Sequence, residues 1–69
     1  YPAVFNAANE QAVHAFHDGA IGYLGILDVV SEVVERHEVQ PMTLEGVLEA
    51  ERWARAEADA LIAGGAFAG

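Results

Sequence analysis

The sequence has no cysteine and only three basic residues, and each shortage excludes a class of protein. Without cysteine the chain cannot be a disulfide-stapled secreted module, and it has no thiol for catalysis. Three arginines and lysines against eleven aspartates and glutamates give a net charge of −8. This charge would repel the phosphates of a nucleic acid and of an anionic membrane surface. We therefore expect neither nucleic-acid nor membrane partners.

The chain is also short and lacks a long apolar run. Its 69 residues can build one small core, because a folded chain of this size hides only roughly 60% of the surface that its unfolded form exposes. A complete cofactor-dependent enzyme is all but excluded, since a nucleotide-binding fold needs several βαβ units of about 30 residues each. No run of about 18 apolar residues could span a bilayer, and the N-terminus lacks the layout of a signal peptide. We expect one soluble domain over residues 1–69, located in the cytoplasm.

What the chain does have is a high apolar content, 54% of its residues, distributed at helical spacing. Asn6 is a favourable N-cap, and Asp18-Gly19 supplies a stop, which predicts a first helix over about 6–17. A second helix is predicted over about 24–38, where the apolar side chains cover one arc of about 160°. That arc comprises Ile26, Leu27, Val29, Val30, Val33 and Val34.

The third helical stretch follows Thr43, a good N-cap. In one unbroken helix, Leu44 and Trp53 would project about 180° apart. We therefore predict a break near 49–51, which gives helices over about 44–49 and 51–63. Trp53, Ala54, Ala58 and Leu61 would then face the core. The predicted fold is all-α, a small antiparallel bundle of three to four helices.

Two asparagines stand out in the first helix. Asn6 is predicted to cap it. Asn9 projects between Phe16 and Val13 on the apolar side, where an unpaired amide would cost about 1–3 kcal/mol. We expect Asn9 to tie the helix to the backbone of a neighbouring segment; direct contact with a substrate is the alternative. Trp53 completes the set of predicted structural residues.

A possible metal site lies on the polar side of the first helix. Glu10, His14 and His17 are spaced so that all three reach one side, and a carboxylate with two imidazoles can bind a divalent metal. A working site needs a further ligand and a second shell that orients the rings. The interpretation that we favour is a solvated helix face. The other acidic residues follow the polar faces of their helices, so we assign no catalytic, cofactor-binding or metal-binding residue.

Several short motifs carry a resemblance to a known family. They are Asn6-Ala7-Ala8-Asn9-Glu10, Ala12-Val13, Ala15-Phe16, Ile21-Gly22-Tyr23-Leu24-Gly25-Ile26, Thr43-Leu44-Glu45, Val47-Leu48 and Trp53-Ala54-Arg55. Together they resemble the C-terminal domain of the 1-deoxy-D-xylulose 5-phosphate reductoisomerases over nearly the whole chain. His17 departs from the family, which more often has leucine there.

The resemblance implies a role within a larger protein. Enzymes of this family use NADPH and a divalent metal, Mg or Mn, to convert 1-deoxy-D-xylulose 5-phosphate to 2-C-methyl-D-erythritol 4-phosphate in non-mevalonate isoprenoid biosynthesis. They are homodimers whose metal, phosphate and NADPH residues belong to the two domains that precede the C-terminal bundle. None of those residues has a counterpart here, so the resemblance implies a structural domain that is inactive alone and partners the catalytic domain.

The beginning of the chain agrees with that interpretation. Tyr1-Pro2-Ala3-Val4-Phe5 starts abruptly with apolar residues and without methionine, which leads us to expect a piece of a longer chain. The alternative from another class is a free-standing acidic helical module that binds the amphipathic helix of a partner.

Overall fold

Three α-helices make up the regular structure of the computed structural model, which describes residues 2–37 and 43–65. α1 spans Pro2–His17, α2 spans Tyr23–Arg36 and α3 spans Leu44–Ala63. No strand occurs within the described residues. The predicted all-α fold is therefore confirmed. The second helix was predicted to run to about 38, but α2 ends at Arg36, and the next residue, His37, has an extended backbone.

The start of α1 differs from the prediction. The helix begins at Pro2, so the expectation that Asn6 caps it is wrong, and Asn6 is an exposed residue inside the helix. Proline suits the first turn because its φ is already helical and its missing N–H would find no partner there. Val4, only 1% exposed, anchors this additional turn in the core.

The end of α1 is the predicted glycine stop. Gly19 has a φ of 79°. Its N–H donates to the Phe16 carbonyl at 3.0 Å, and the Ala20 N–H donates to the Ala15 carbonyl at 2.9 Å. These two bonds form a Schellman motif, which requires the left-handed conformation that glycine adopts without strain. The chain then turns into α2 over a short connection, so that α1 and α2 form a hairpin.

The predicted break in the third stretch is wrong, because α3 is one continuous helix. Thr43 caps it as predicted, with its Oγ1 accepting from the Gly46 N–H at 3.0 Å. The break was predicted on the assumption that Leu44 faces the core, whereas Leu44 is 75% exposed. The buried side of α3 is instead a stripe of small residues, one per turn. These are Gly46, Ala50, Ala54 and Ala58.

The core is correspondingly built from small side chains. Alanines and valines of the three helices, together with Ile21, form it. Its largest fully buried side chains are valines, Val4, Val29 and Val33. α1 packs extensively along both other helices, whereas α2 and α3 touch each other less. Within the described part of the chain, no helix has the length and apolar character needed to cross a membrane.

Candidate functional site

The three residues considered for a metal site do not form one in this structure. Glu10, His14 and His17 are all exposed on α1. The Glu10 carboxylate accepts a hydrogen bond from the Arg55 guanidinium at 3.1 Å, so Glu10 and Arg55 form a salt bridge. Among residues 2–37 and 43–65, no group of three or more histidines and carboxylates is arranged to hold a metal ion. The three side chains lie on the exposed side of α1.

Glu10 belongs to a polar contact between α1 and α3, which we call the α1–α3 seam. The Gln11 amide donates to Asp59 at 2.7 Å and accepts from Arg55 at 3.2 Å. Arg55 also bonds to Glu10 at 3.1 Å and lies 3.6 Å from Glu51. The pKa of Arg55 is raised, chiefly by the hydrogen bond to Glu10. The seam therefore fixes the register of two parallel helices.

The other two arginines are also paired with glutamates. Arg36 joins α2 to α3 through Glu57 at 3.2 Å, and it bonds to Glu32 on its own helix at 3.0 Å. The hydrogen bond to Glu57, followed by that to Glu32, raises the pKa of Arg36. Arg52 pairs with Glu49. All three basic residues of the sequence therefore form salt bridges with glutamates of the same chain.

A shallow groove lies between the C-terminal ends of α1 and α3. Its polar lining includes Gln11, His14, Asp18 and Asp59. The hydrogen bond from Gln11 to Asp59 already satisfies two of these groups. No second feature of the groove points to a ligand, so we assign it no function.

Asn9 and Trp53 occupy different environments. Asn9 is half-buried, and its amide makes no hydrogen bond to another residue in the described part of the chain. The predicted tie to a neighbouring backbone is therefore not formed by those residues. Trp53 is half-buried, packs against the core, and has its ring centre 5.6 Å from that of His37.

The most conspicuous feature of the surface is a set of large apolar side chains on α1 and α2. We call it the α1–α2 face and define it by five exposed residues: Phe5, Phe16, Tyr23, Leu27 and Val34. Tyr23 is 72% exposed and Leu27 is 65% exposed. The Phe16 and Tyr23 rings meet edge to face, with centres 5.8 Å apart, which joins the contributions of the two helices. Leu24 is exposed beside this face.

The sequence analysis did not locate this face, because it described the apolar arc of the second helix without dividing it between the core and an exposed surface. Leu27 and Val34 belong to the apolar arc of α2, yet only the other half of that arc, with Val29 and Val33, is buried. The signal available in the sequence was the width of that arc, about 160°. In the structure α2 packs mainly against α1 and less against α3. Such a wide arc can serve a core and an additional contact.

The chain matches the family model described as DXP reductoisomerase C-terminal domain over residues 1–57. It is 65% identical over 63 residues to the 1-deoxy-D-xylulose 5-phosphate reductoisomerase of Leifsonia xyli subsp. xyli. The matched segment covers 90% of this chain and 18% of that protein. The enzyme of the same name from Streptomyces coelicolor is 53% identical over 66 residues, covering 90% of this chain and 16% of that protein. The enzyme from Paenarthrobacter aurescens is 54% identical over 57 residues, and the matched segment covers 81% of this chain and 14% of that protein.

The chain thus spans less than a fifth of the length of these curated relatives. No solved structure matches it.

Proposed function

The chain belongs to the family of DXP reductoisomerase C-terminal domains, and from this premise we propose that it is the C-terminal structural domain of a 1-deoxy-D-xylulose 5-phosphate reductoisomerase. The observation that carries the proposal is the match over residues 1–57, together with relatives of that name at up to 65% identity. The parent enzyme would make 2-C-methyl-D-erythritol 4-phosphate for isoprenoid biosynthesis. It would be a cytoplasmic homodimer.

The cofactors of such an enzyme do not fit the residues described here. A divalent metal needs a cluster of carboxylates or imidazoles, and none is arranged for it in residues 2–37 and 43–65. The phosphates of NADPH need basic side chains or a glycine-rich loop after a strand, but the arginines are paired with glutamates and no strand occurs among the described residues. The domain therefore supports the catalytic part of the parent without contacting either cofactor.

Replacing the matched segment of a relative tests this proposal. The Leifsonia xyli enzyme would be prepared without the 63 residues that match, and separately with this chain grafted in their place. We expect the truncated enzyme to lose NADPH-dependent reduction of 1-deoxy-D-xylulose 5-phosphate and the graft to restore most of it. The 69-residue chain alone is expected to be inactive and to have no affinity for NADPH.

A graft carrying Val29→Asp provides the matched control. Val29 is fully buried, so an aspartate there places an unpaired charge in the core and should unfold the domain. This control should be as inactive as the truncated enzyme. Equal inactivity of the unsubstituted graft would contradict the proposal and favour a free-standing interaction module.

A further inference from the structure

We propose that the α1–α2 face is the surface on which the rest of the parent polypeptide docks. This inference rests on the proposed function and deepens it, because it assigns the contact to one side of the bundle. The occupant to which we commit is a surface of the same polypeptide with an apolar centre and a basic rim.

On both helices the face points away from α3. At 100° per residue, Phe16 lies about 140° from Gln11 and about 120° from Glu10, the two α1 residues that bond to α3. On α2, the face residues lie between about 140° and 180° from Arg36, which bonds to Glu57 of α3. The face and α3 are therefore on opposite sides of the α1–α2 hairpin.

The face occupies one side of each helix, and the contact between the Phe16 and Tyr23 rings joins the two helices. Phe5 and Phe16 lie within about 20° of each other on α1, and Tyr23, Leu27 and Val34 lie within about 40° on α2. No charged residue falls within these two arcs. Asn9 lies about 20° beyond Phe16 on α1, and Tyr23 contributes a hydroxyl at one end of the face. Exposed apolar residues scattered singly are normal, but a contiguous patch that crosses two helices is typical of an interaction site.

The length of the relatives indicates what covers the face. This chain corresponds to 14–18% of those proteins, so a much larger body belongs to the same polypeptide. A covalent connection gives that body a high effective concentration at the face, and a modest apolar patch is then sufficient for stable docking.

Charge disfavours a second copy of the chain as the occupant. Each copy carries a net charge of −8, and Asp28 and Glu35 are exposed on α2, about 100° and about 80° round the helix from Leu27. The arginines are committed to glutamates of their own chain. A second copy would thus bring acidic groups together without free cations to pair with them, whereas a basic rim on the partner would complement them.

Cysteine labelling of the grafted enzyme tests the assignment. The chain has no cysteine of its own, and those of the host would be replaced by serine. Leu27→Cys and, as a second position, Val34→Cys place a thiol on the face. Ala56→Cys and Ala60→Cys are the matched controls, because both positions are exposed on α3. We expect maleimide to react with the face thiols at least roughly tenfold more slowly than with the control thiols, and at equal rates after denaturation.

The labelling rates and the activity of the graft together test the assignment of the face. In an active graft, labelling of Leu27→Cys and Val34→Cys as fast as of Ala56→Cys would overturn the inference and leave the proposed function intact. An inactive graft would overturn the proposed function and this inference with it. In the 69-residue chain alone, we expect fast labelling at every concentration. Protection that grows with protein concentration would assign the face to a second copy and overturn the inference.

Discussion

Along the side of α1 that meets α3, the contact is made by small side chains and by the polar α1–α3 seam. The opposite side of the same hairpin carries phenylalanine, tyrosine and leucine side chains that the described part of the chain leaves exposed. Small residues allow two helix backbones to approach closely, and the seam sets their register. Large apolar side chains contribute more by burial, but only when a partner covers them. The proposed docking would give these large side chains the burial that the described part of the chain does not provide.

The largest expected effect comes from enlarging a side chain in the α1–α3 contact. Ala54 is fully buried in the small-residue stripe of α3, so Ala54→Leu should force the helices apart and destabilise the chain by about 2 kcal/mol. In a domain of this size that lowers the Tm by roughly 10 °C. Thermal unfolding followed by circular dichroism measures the shift.

Ala56→Leu is the matched control, because it makes the same change at an exposed position of the same helix. It should change stability by less than about 0.5 kcal/mol. Equal effects of the two substitutions would mean that the stripe is not a close helix contact, and the contrast between the two sides of the hairpin would no longer hold.

The small-residue stripe also explains how far the sequence predicts this structure. Local signals succeeded: the glycine stop at Gly19, the Thr43 cap and the apolar arc of α2. Each depends on a few neighbouring residues. The continuity of α3 was missed because alanines were given less weight than Leu44 as core residues. Periodicity shows which side of a helix is apolar, but it does not show whether the same chain or another surface covers that side. The position of the α1–α2 face could not be predicted for that reason.

A smaller effect is expected from the polar part of the α1–α3 contact. Arg55→Gln removes the cation that bonds to Glu10 and Gln11, but the pair is partly exposed, so we expect a loss of about 0.5 kcal/mol. The loss should shrink as salt is added, because salt screens such pairs. Urea unfolding at low and high salt measures both values.

Arg52→Gln serves as the comparison for that measurement. Arg52 bonds only to Glu49 of its own helix among the described residues, so its removal leaves the helix contact intact and should cost less than removal of Arg55. If the two substitutions have the same effect, the seam contributes nothing beyond ordinary pairs within a helix.

The smallest effect on the free chain is expected from a substitution of Asn9. The same substitution should also distinguish the two sides of the hairpin most sharply. In the 69-residue chain, Asn9→Ala removes a half-buried amide without a partner among the described residues, and alanine favours a helix by about 0.5 kcal/mol. The chain should therefore be unchanged or slightly more stable. In the grafted enzyme the same substitution should cost about 1 kcal/mol, because the amide borders a face that becomes buried and would hydrogen-bond to the docked surface. Parallel thermal unfolding of both proteins measures the difference.

An equal loss in both would mean that the partner of Asn9 lies within this chain, as the sequence led us to expect, and that its amide takes no part in docking.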